Sequence, residues 1–157
     1  MAAGDVTGDG KADIITGTGA GGGPHVKAFN GVTGALVASF FAFDPTFGGG
    51  VFVAAGDVTG DGKTDIIVGA GGGGGPFTKV FTGSGALVAS FLAYDLAFAG
   101  GVRVTTRDVN GDGKADIITA AGPGGGPHVK VFNAASGVVL RSFFAFDPAF
   151  MGGVFVG

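Results

Sequence analysis

The sequence predicts an all-β protein built from three copies of one four-stranded unit. Three observations carry that prediction: a motif that returns twice at nearly constant spacing, an acidic complement drawn wholly from aspartate, and short β-rich runs set off by glycine. The motif Gly4-Asp5-Val6-Thr7-Gly8-Asp9-Gly10 returns at 56–62 and again, as Arg107-Asp108-Val109-Asn110-Gly111-Asp112-Gly113, at 107–113. Asp5, Asp57 and Asp108 are thus spaced by 52 and then 51 residues. A period near fifty residues marks repeat architectures in which each repeat is one supersecondary unit.

The rest of the unit recurs in step. Gly-Gly-Gly-Pro at 21–24 returns at 73–76 and 124–127, and Phe43-Asp44-Pro45 returns as Tyr94-Asp95-Leu96 and Phe146-Asp147-Pro148. Gly49 to Val53 returns at 100–104 and 152–156, which places Val156 on Met1 and Gly157 on Ala2. The blade units are approximately 1–50, 51–101 and 102–157.

All 12 acidic residues are Asp. Glu is a good helix former, whereas Asp favours turns and hard-cation sites. No stretch has a helical period with caps. Within the middle unit the first strand is expected at Val51 to Ala55 and the second, after the Asp-rich loop, at Asp65 to Gly69. The third runs from Phe77 to Phe81, and after the turn at Gly83 to Gly85 the fourth runs from Leu87 to Tyr94. Four short strands per unit of this length fit a β-propeller blade. The rival calcium β-roll repeats about every nine residues, and nothing here recurs at nine. The repeating Phe residues are read as inter-blade core.

Composition excludes several classes. Hydrophobic residues make up 46% of the chain, which argues against disorder. No apolar run approaches the ~18 residues of a membrane span, so no membrane partner is expected. A net charge of −3 lacks the basic face that nucleic acid requires. With no Cys there is neither a disulfide framework nor a thiolate metal site. The N-terminus lacks the basic and apolar regions of a signal peptide, and the localisation is open.

The chemistry lies in the loop after each first strand. The loops read Asp5-Val6-Thr7-Gly8-Asp9-Gly10-Lys11-Ala12-Asp13, Asp57-Val58-Thr59-Gly60-Asp61-Gly62-Lys63-Thr64-Asp65 and Asp108-Val109-Asn110-Gly111-Asp112-Gly113-Lys114-Ala115-Asp116. Numbered one to nine, each has carboxylates at one, five and nine, an oxygen-bearing side chain at three and Gly at six. Calcium takes six to eight hard oxygens in flexible geometry, and magnesium demands a stricter octahedron. Side chains one, three, five and nine with the carbonyl at seven (Lys11, Lys63, Lys114) could supply such a shell. Gly10, Gly62 and Gly113 would make the sharp turn. Carboxylates gathered so closely oppose one another unless a cation sits among them. The expectation is Ca²⁺ as cofactor, about three ions per chain, with the lysine ammonium at position seven pointing outward.

The stretch Val53-Ala-Ala-Gly-Asp-Val-Thr-Gly-Asp-Gly-Lys-Thr-Asp-Ile-Ile-Val-Gly-Ala70 resembles an FG-GAP or VCBS repeat. That family includes the propeller blades of integrin α-subunits, some fungal and bacterial lectins and many large bacterial surface proteins. The resemblance spans the whole chain. It implies a four-stranded blade with its calcium loop between the innermost strand and the second. It implies ligands at Asp5, Asp9 and Asp13, at Asp57, Asp61 and Asp65, and at Asp108, Asp112 and Asp116, and an extracellular or cell-surface setting. Position three is usually Asp or Asn in the family, so Asn110 fits whereas Thr7 and Thr59 depart from it.

Other polar residues carry less. His25 and His128 share one repeat position, where Phe77 stands in the middle unit, and no acid, base or nucleophile recurs around them. Asp44, Asp95 and Asp147 read as turn initiators. The stretch Gly17 to Gly23 lacks the Gly-Lys-Ser/Thr ending of a phosphate loop. No catalytic role is expected.

Three blades are too few to close a ring, since propellers have four to eight. Two chains give six. The segment 152–156 is expected to form a strand that completes a partner's first blade, giving a homodimer, and the mid-strand start suggests an excised or engineered piece of a longer repeat protein. The expected function is a calcium-stabilised structural or assembly module without catalytic activity. The alternative is a propeller that binds a glycan or protein ligand.

Overall fold

A computed structural model describes residues 1–157 and contains twelve β-strands and no helix. Consequently no helix is long and apolar enough to cross a membrane. β1 (Ala2–Gly4), β2 (Asp13–Gly17), β3 (His25–Phe29) and β4 (Leu36–Phe41) form the first sheet. β5 (Val51–Gly56), β6 (Asp65–Ala70), β7 (Phe77–Phe81) and β8 (Leu87–Leu92) form the second, and β9 (Val102–Arg107), β10 (Asp116–Ala121), β11 (His128–Phe132) and β12 (Val139–Phe144) the third. Every pairing is antiparallel between sequence neighbours, so each sheet is a four-stranded meander.

The first strands of the sheets lie side by side. Met1 to Ala3, Val53 to Ala55, Val104 to Thr106 and the end of the chain at Val156 and Gly157 line one cleft along their common axis. Three blades arranged radially about an inner line are part of a β-propeller, as the repeat predicts.

The core lies between blades and is aliphatic. Ile15 and Val26 from the first blade meet Ile66, Val68 and Phe81 from the second. Ile67 and Val80 meet Ile117 and Phe132 from the third. Phe contributes less than expected. Phe40 packs on Phe81 with ring centroids 4.7 Å apart, and Phe91 packs on Phe132 at 5.0 Å. Phe41, Phe143, Phe144, Phe146, Phe150 and Phe155 are exposed. Close approach of the chain fixes some glycines. A Cβ at Gly71 or Gly122 would strike the carbonyl of Gly49 or Gly100, at the linker that leads into the next blade.

Strand ends in the middle blade differ from expectation by one or two residues, the first strand running on to Gly56 and the second to Ala70. The fourth strand of the middle blade stops at Leu92: the Ala93 N–H still reaches its in-register partner, the Pro76 carbonyl, at 2.8 Å, but Pro76 has no N–H to continue the ladder. The segment 152–156 forms no strand. An innermost strand pairs with the second strand of its own blade, and this segment has none beside it. It docks instead on the third blade through Val154 N–H to Ala121 O at 3.0 Å, the bond Val51 makes to Thr18 in the first. Val154 is buried there against Ala120 and Val129, while Phe155 remains 75% exposed and lies over the Arg103 guanidinium.

Candidate functional site

The three Asp-rich loops join β1 to β2, β5 to β6 and β9 to β10, and position nine is the first residue of the second strand in each blade. The loops share one conformation. Glycines at position four (Gly8, Gly60, Gly111) and at six (Gly10, Gly62, Gly113) all have φ between 78° and 85°. That left-handed region is costly for a residue with a Cβ. Position six was legible as a turn glycine, and position four is a second one that the spacing did not single out.

These turns fold the backbone around the position-one carboxylate. Asp5 accepts the N–H groups of Gly8 at 2.6 Å, Asp9 at 3.1 Å and Gly10 at 2.7 Å. Asp57 accepts those of Gly60, Asp61 and Gly62, and Asp108 those of Gly111 and Gly113. Burial works against the Asp5 charge, but the N–H groups of Gly10, Gly8 and Asp9 and the Thr7 hydroxyl together hold its carboxyl below the usual range. The position-five carboxylate accepts the N–H of position seven at 2.9 Å in every loop.

Position nine is different. Asp13, Asp65 and Asp116 are buried, and their partners are N–H and amide groups. Asp13 accepts from Val6, Thr7 and Gly31, and Asp65 from Val58 and Thr59. Burial pushes the Asp65 carboxyl above the usual range, because removal from water disfavours its charge.

Position three divides the loops. The Thr7 hydroxyl is 3.4 Å from Asp5, and the Thr59 hydroxyl is buried with no hydrogen-bond partner. In the third loop the Asn110 amide spans Asp112 and Asp116 at 3.0 and 3.4 Å. Asn133, at the end of β11, spans the same two carboxylates at 3.1 and 3.4 Å. The N–H of Lys114 and then the Asn110 amide hold Asp112 below the usual range. Asn133 escaped the sequence reading because it lies outside the nine-residue motif.

Lysine at seven behaves differently from expectation in one loop. The Lys114 ammonium turns onto the carbonyl of Thr59 in the preceding loop, 3.2 Å away, against Gly60. Adjacent loops are also stitched by Thr64 N–H to Asp5 O at 3.3 Å and Ala115 N–H to Asp57 O at 2.8 Å. The loops therefore form a row along one end of the blades. Nowhere in the chain do three acidic or imidazole side chains stand close enough together to hold a metal ion. The donor set is nevertheless hard oxygen throughout, and a carboxylate that accepts two N–H groups keeps lone pairs for a cation.

Radial four-stranded meanders, each with an Asp-Gly loop between its first and second strands, define a propeller-type repeat protein. The sequence matches the FG-GAP-like repeat over residues 5–68 and the FG-GAP repeat over 49–88 and 100–139. The chain belongs to the FG-GAP repeat family. No curated protein matches its sequence. Among solved structures it is similar to the rhamnogalacturonan lyase YesW, at 16% identity and a TM-score of 0.52 over 91% of this chain and 39% of that one. It is also similar to the quinohemoprotein alcohol dehydrogenase ADHIIG from Pseudomonas putida HK5, at 16% identity and a TM-score of 0.44 over 86% of this chain and 26% of that one. The chain therefore spans well under half the length of either protein, and at this identity the likeness to the lyase is one of fold.

Proposed function

We propose that the chain is a calcium-stabilised, non-catalytic structural module, in which each Asp-rich loop holds one ion and the blades form part of a ring completed by a second chain. One observation carries the reading. In all three blades a buried position-nine carboxylate, with N–H and amide partners, closes a loop that holds two further carboxylates within nine residues. The upward pull of burial on the Asp65 carboxyl is what a cation would relieve. The ligands would be Asp5, Thr7, Asp9, Lys11 carbonyl and Asp13, then Asp57, Thr59, Asp61, Lys63 carbonyl and Asp65, then Asp108, Asn110, Asp112, Lys114 carbonyl and Asp116. A bound ion would neutralise the carboxylates and tie the first and second strands of each blade together.

Thermal melts in calcium and in chelator test this. Binding to the folded state alone stabilises it by about 2.7 kcal/mol per site at a hundred times the dissociation constant. The midpoint should rise with calcium, and equilibrium dialysis should find three ions per chain. An unchanged midpoint and no retained metal would sink the proposal.

A second reading, ligand binding, rests on a separate feature. A groove of about 540 Å³ opens between the second and third blades and is lined by Tyr94, Asp95, Phe98, His128, Lys130 and Phe144. Aromatic faces beside a few polar groups suit a glycan or a peptide. A glycan array probed with the calcium-loaded protein separates the readings, since a purely structural module gives no reproducible hit.

A further inference from the structure

The two junctions inside the chain are built from one set of parts. After the fourth strand, a pair of aromatic rings stands on the outgoing side of a blade: Phe43 with Phe47, and Tyr94 with Phe98. The next blade covers them. Its lysine lies over the first ring and donates to the carbonyl just before it, Lys79 to Ala42 at 2.9 Å and Lys130 to Ala93 at 3.0 Å. Its glycine loop meets the second ring, Gly74 against Phe47 and Gly125 against Phe98. The incoming side also buries an isoleucine, Ile66 at 0% and Ile117 at 2% exposed.

The open end of blade three carries the same outgoing parts uncovered. Phe146 and Phe150 keep the edge-on arrangement and are 63% and 48% exposed. Phe143, the counterpart of Phe40 and Phe91, is 48% exposed, and Val109 is 40% exposed where Val6 and Val58 are buried. Gly153 to Phe155 line a cavity of about 590 Å³ beside these rings. The open end of blade one carries the matching incoming parts: Lys27, Gly22, Phe29 and Ile14, the last 43% exposed.

We propose that a second copy of this chain docks its blade one head to tail on blade three, making a third junction of the internal kind. This rests on the ring reading above and specifies its contacts. Lys27 of the second copy reaches the Ala145 carbonyl over Phe146, Gly22 seats on Phe150, Phe29 packs on Phe143, and the Ala12 N–H meets the Asp108 carbonyl. The junction also assembles a groove from His25 and Lys27 of one copy with Phe146, Asp147 and Phe150 of the other, which neither copy forms alone. Six is the only multiple of three within the four to eight blades of propellers, so two copies close the ring through two identical junctions.

Complementation tests the direction of docking. Ile14→Glu destroys only the blade-one face and Phe143→Glu only the blade-three face, and both residues are exposed in the single chain. Each variant alone should run as a monomer in light scattering, with dimer affinity weakened at least about 30-fold. An equimolar mixture should recover a one-to-one heterodimer through its one intact junction. Failure of the mixture to associate, with the parent a dimer, would overturn the head-to-tail junction and with it the two-chain ring, while the calcium reading, tested by melts in chelator, would stand. The chain lacks cysteine, so Phe29→Cys with Phe143→Cys gives the complementary measurement. Oxidation should yield crosslinked dimers. A ladder of longer species would keep the junction but overturn closure at two copies, and a parent chain that stays monomeric at high concentration would overturn both.

Discussion

The middle blade and the first blade spell their second strands almost identically, yet they bury them differently. β6, Asp-Ile-Ile-Val-Gly-Ala, is buried along its whole length, whereas in β2, Asp-Ile-Ile-Thr-Gly, Ile14 faces outward and only Asp13 and Ile15 are buried. The middle blade has a neighbour on each side. The first blade has one. Burial in a repeat array is thus a property of position, because each unit covers only the face its neighbour presents.

Removing the same methyl groups at equivalent sites should break the equivalence most visibly. Ile66→Ala leaves a cavity between two blades and should cost about 2–5 kcal/mol. Ile14→Ala, measured at dilution where single chains dominate, should stay within about 0.5 kcal/mol. Denaturant titration of both variants reads the difference. Equal costs would mean that Ile14 is covered even in the single chain.

That contrast also marks what the sequence could tell. The four-stranded unit, the loop position and the turn glycines at 10, 62 and 113 were legible because each rests on local chemistry repeated three times. The docking of 152–156 on blade three was not, since it is set by the Ala121 carbonyl. Nor was the direction of Lys114, which is set by the carbonyl of Thr59 one blade away. Arg103 is the clearest miss. It interrupts an apolar strand, is 9% exposed, donates to the Ala121 carbonyl at 3.3 Å and has the rings of Phe52 and Phe155 nearby. The counterpart positions hold Phe52 and Phe155, so no repeat pattern announces it. In the candidate site the motif gave the oxygen-bearing residue types, while Asn133 enters from the turn after β11 and could only be seen in the fold.

The second internal junction has side-chain hydrogen bonds that the first lacks, among them those of Lys114, Tyr94 and Thr106. The Thr106 hydroxyl donates to the Ala55 carbonyl at 2.6 Å across the second junction, and the first has Ala55 at the equivalent place. Thr106→Ala should therefore cost about 1 kcal/mol. It should raise amide exchange at the β5–β9 boundary while leaving the β1–β5 boundary unchanged. Exchange that rises equally at both would show that the two junctions open as one unit.

The smallest expected effect separates the middle blade from the third by a single side chain, Phe77 against His128. His128 bonds Ser142 at 2.8 Å, and its ring lies 5.4 Å from Tyr94 and 4.9 Å from Phe144. Burial, and then the nearby Lys130 ammonium, hold its pKa below the usual histidine value. Tyr94 stays neutral throughout, pushed up to about 12 by burial. Above about pH 6.5 His128 is neutral both folded and unfolded, so it adds no pH dependence. As the pH falls through that value the unfolded chain takes up a proton that the folded chain resists, and stability declines. The decline ends once the pH passes below the folded value, where both states are charged. His128→Phe installs the residue of the middle blade and removes the titration, so the variant should lose less stability than the parent between pH 7 and pH 5. Subtracting the two curves cancels the carboxylates common to both. Parallel curves would mean that the groove solvates the imidazolium as well as water does.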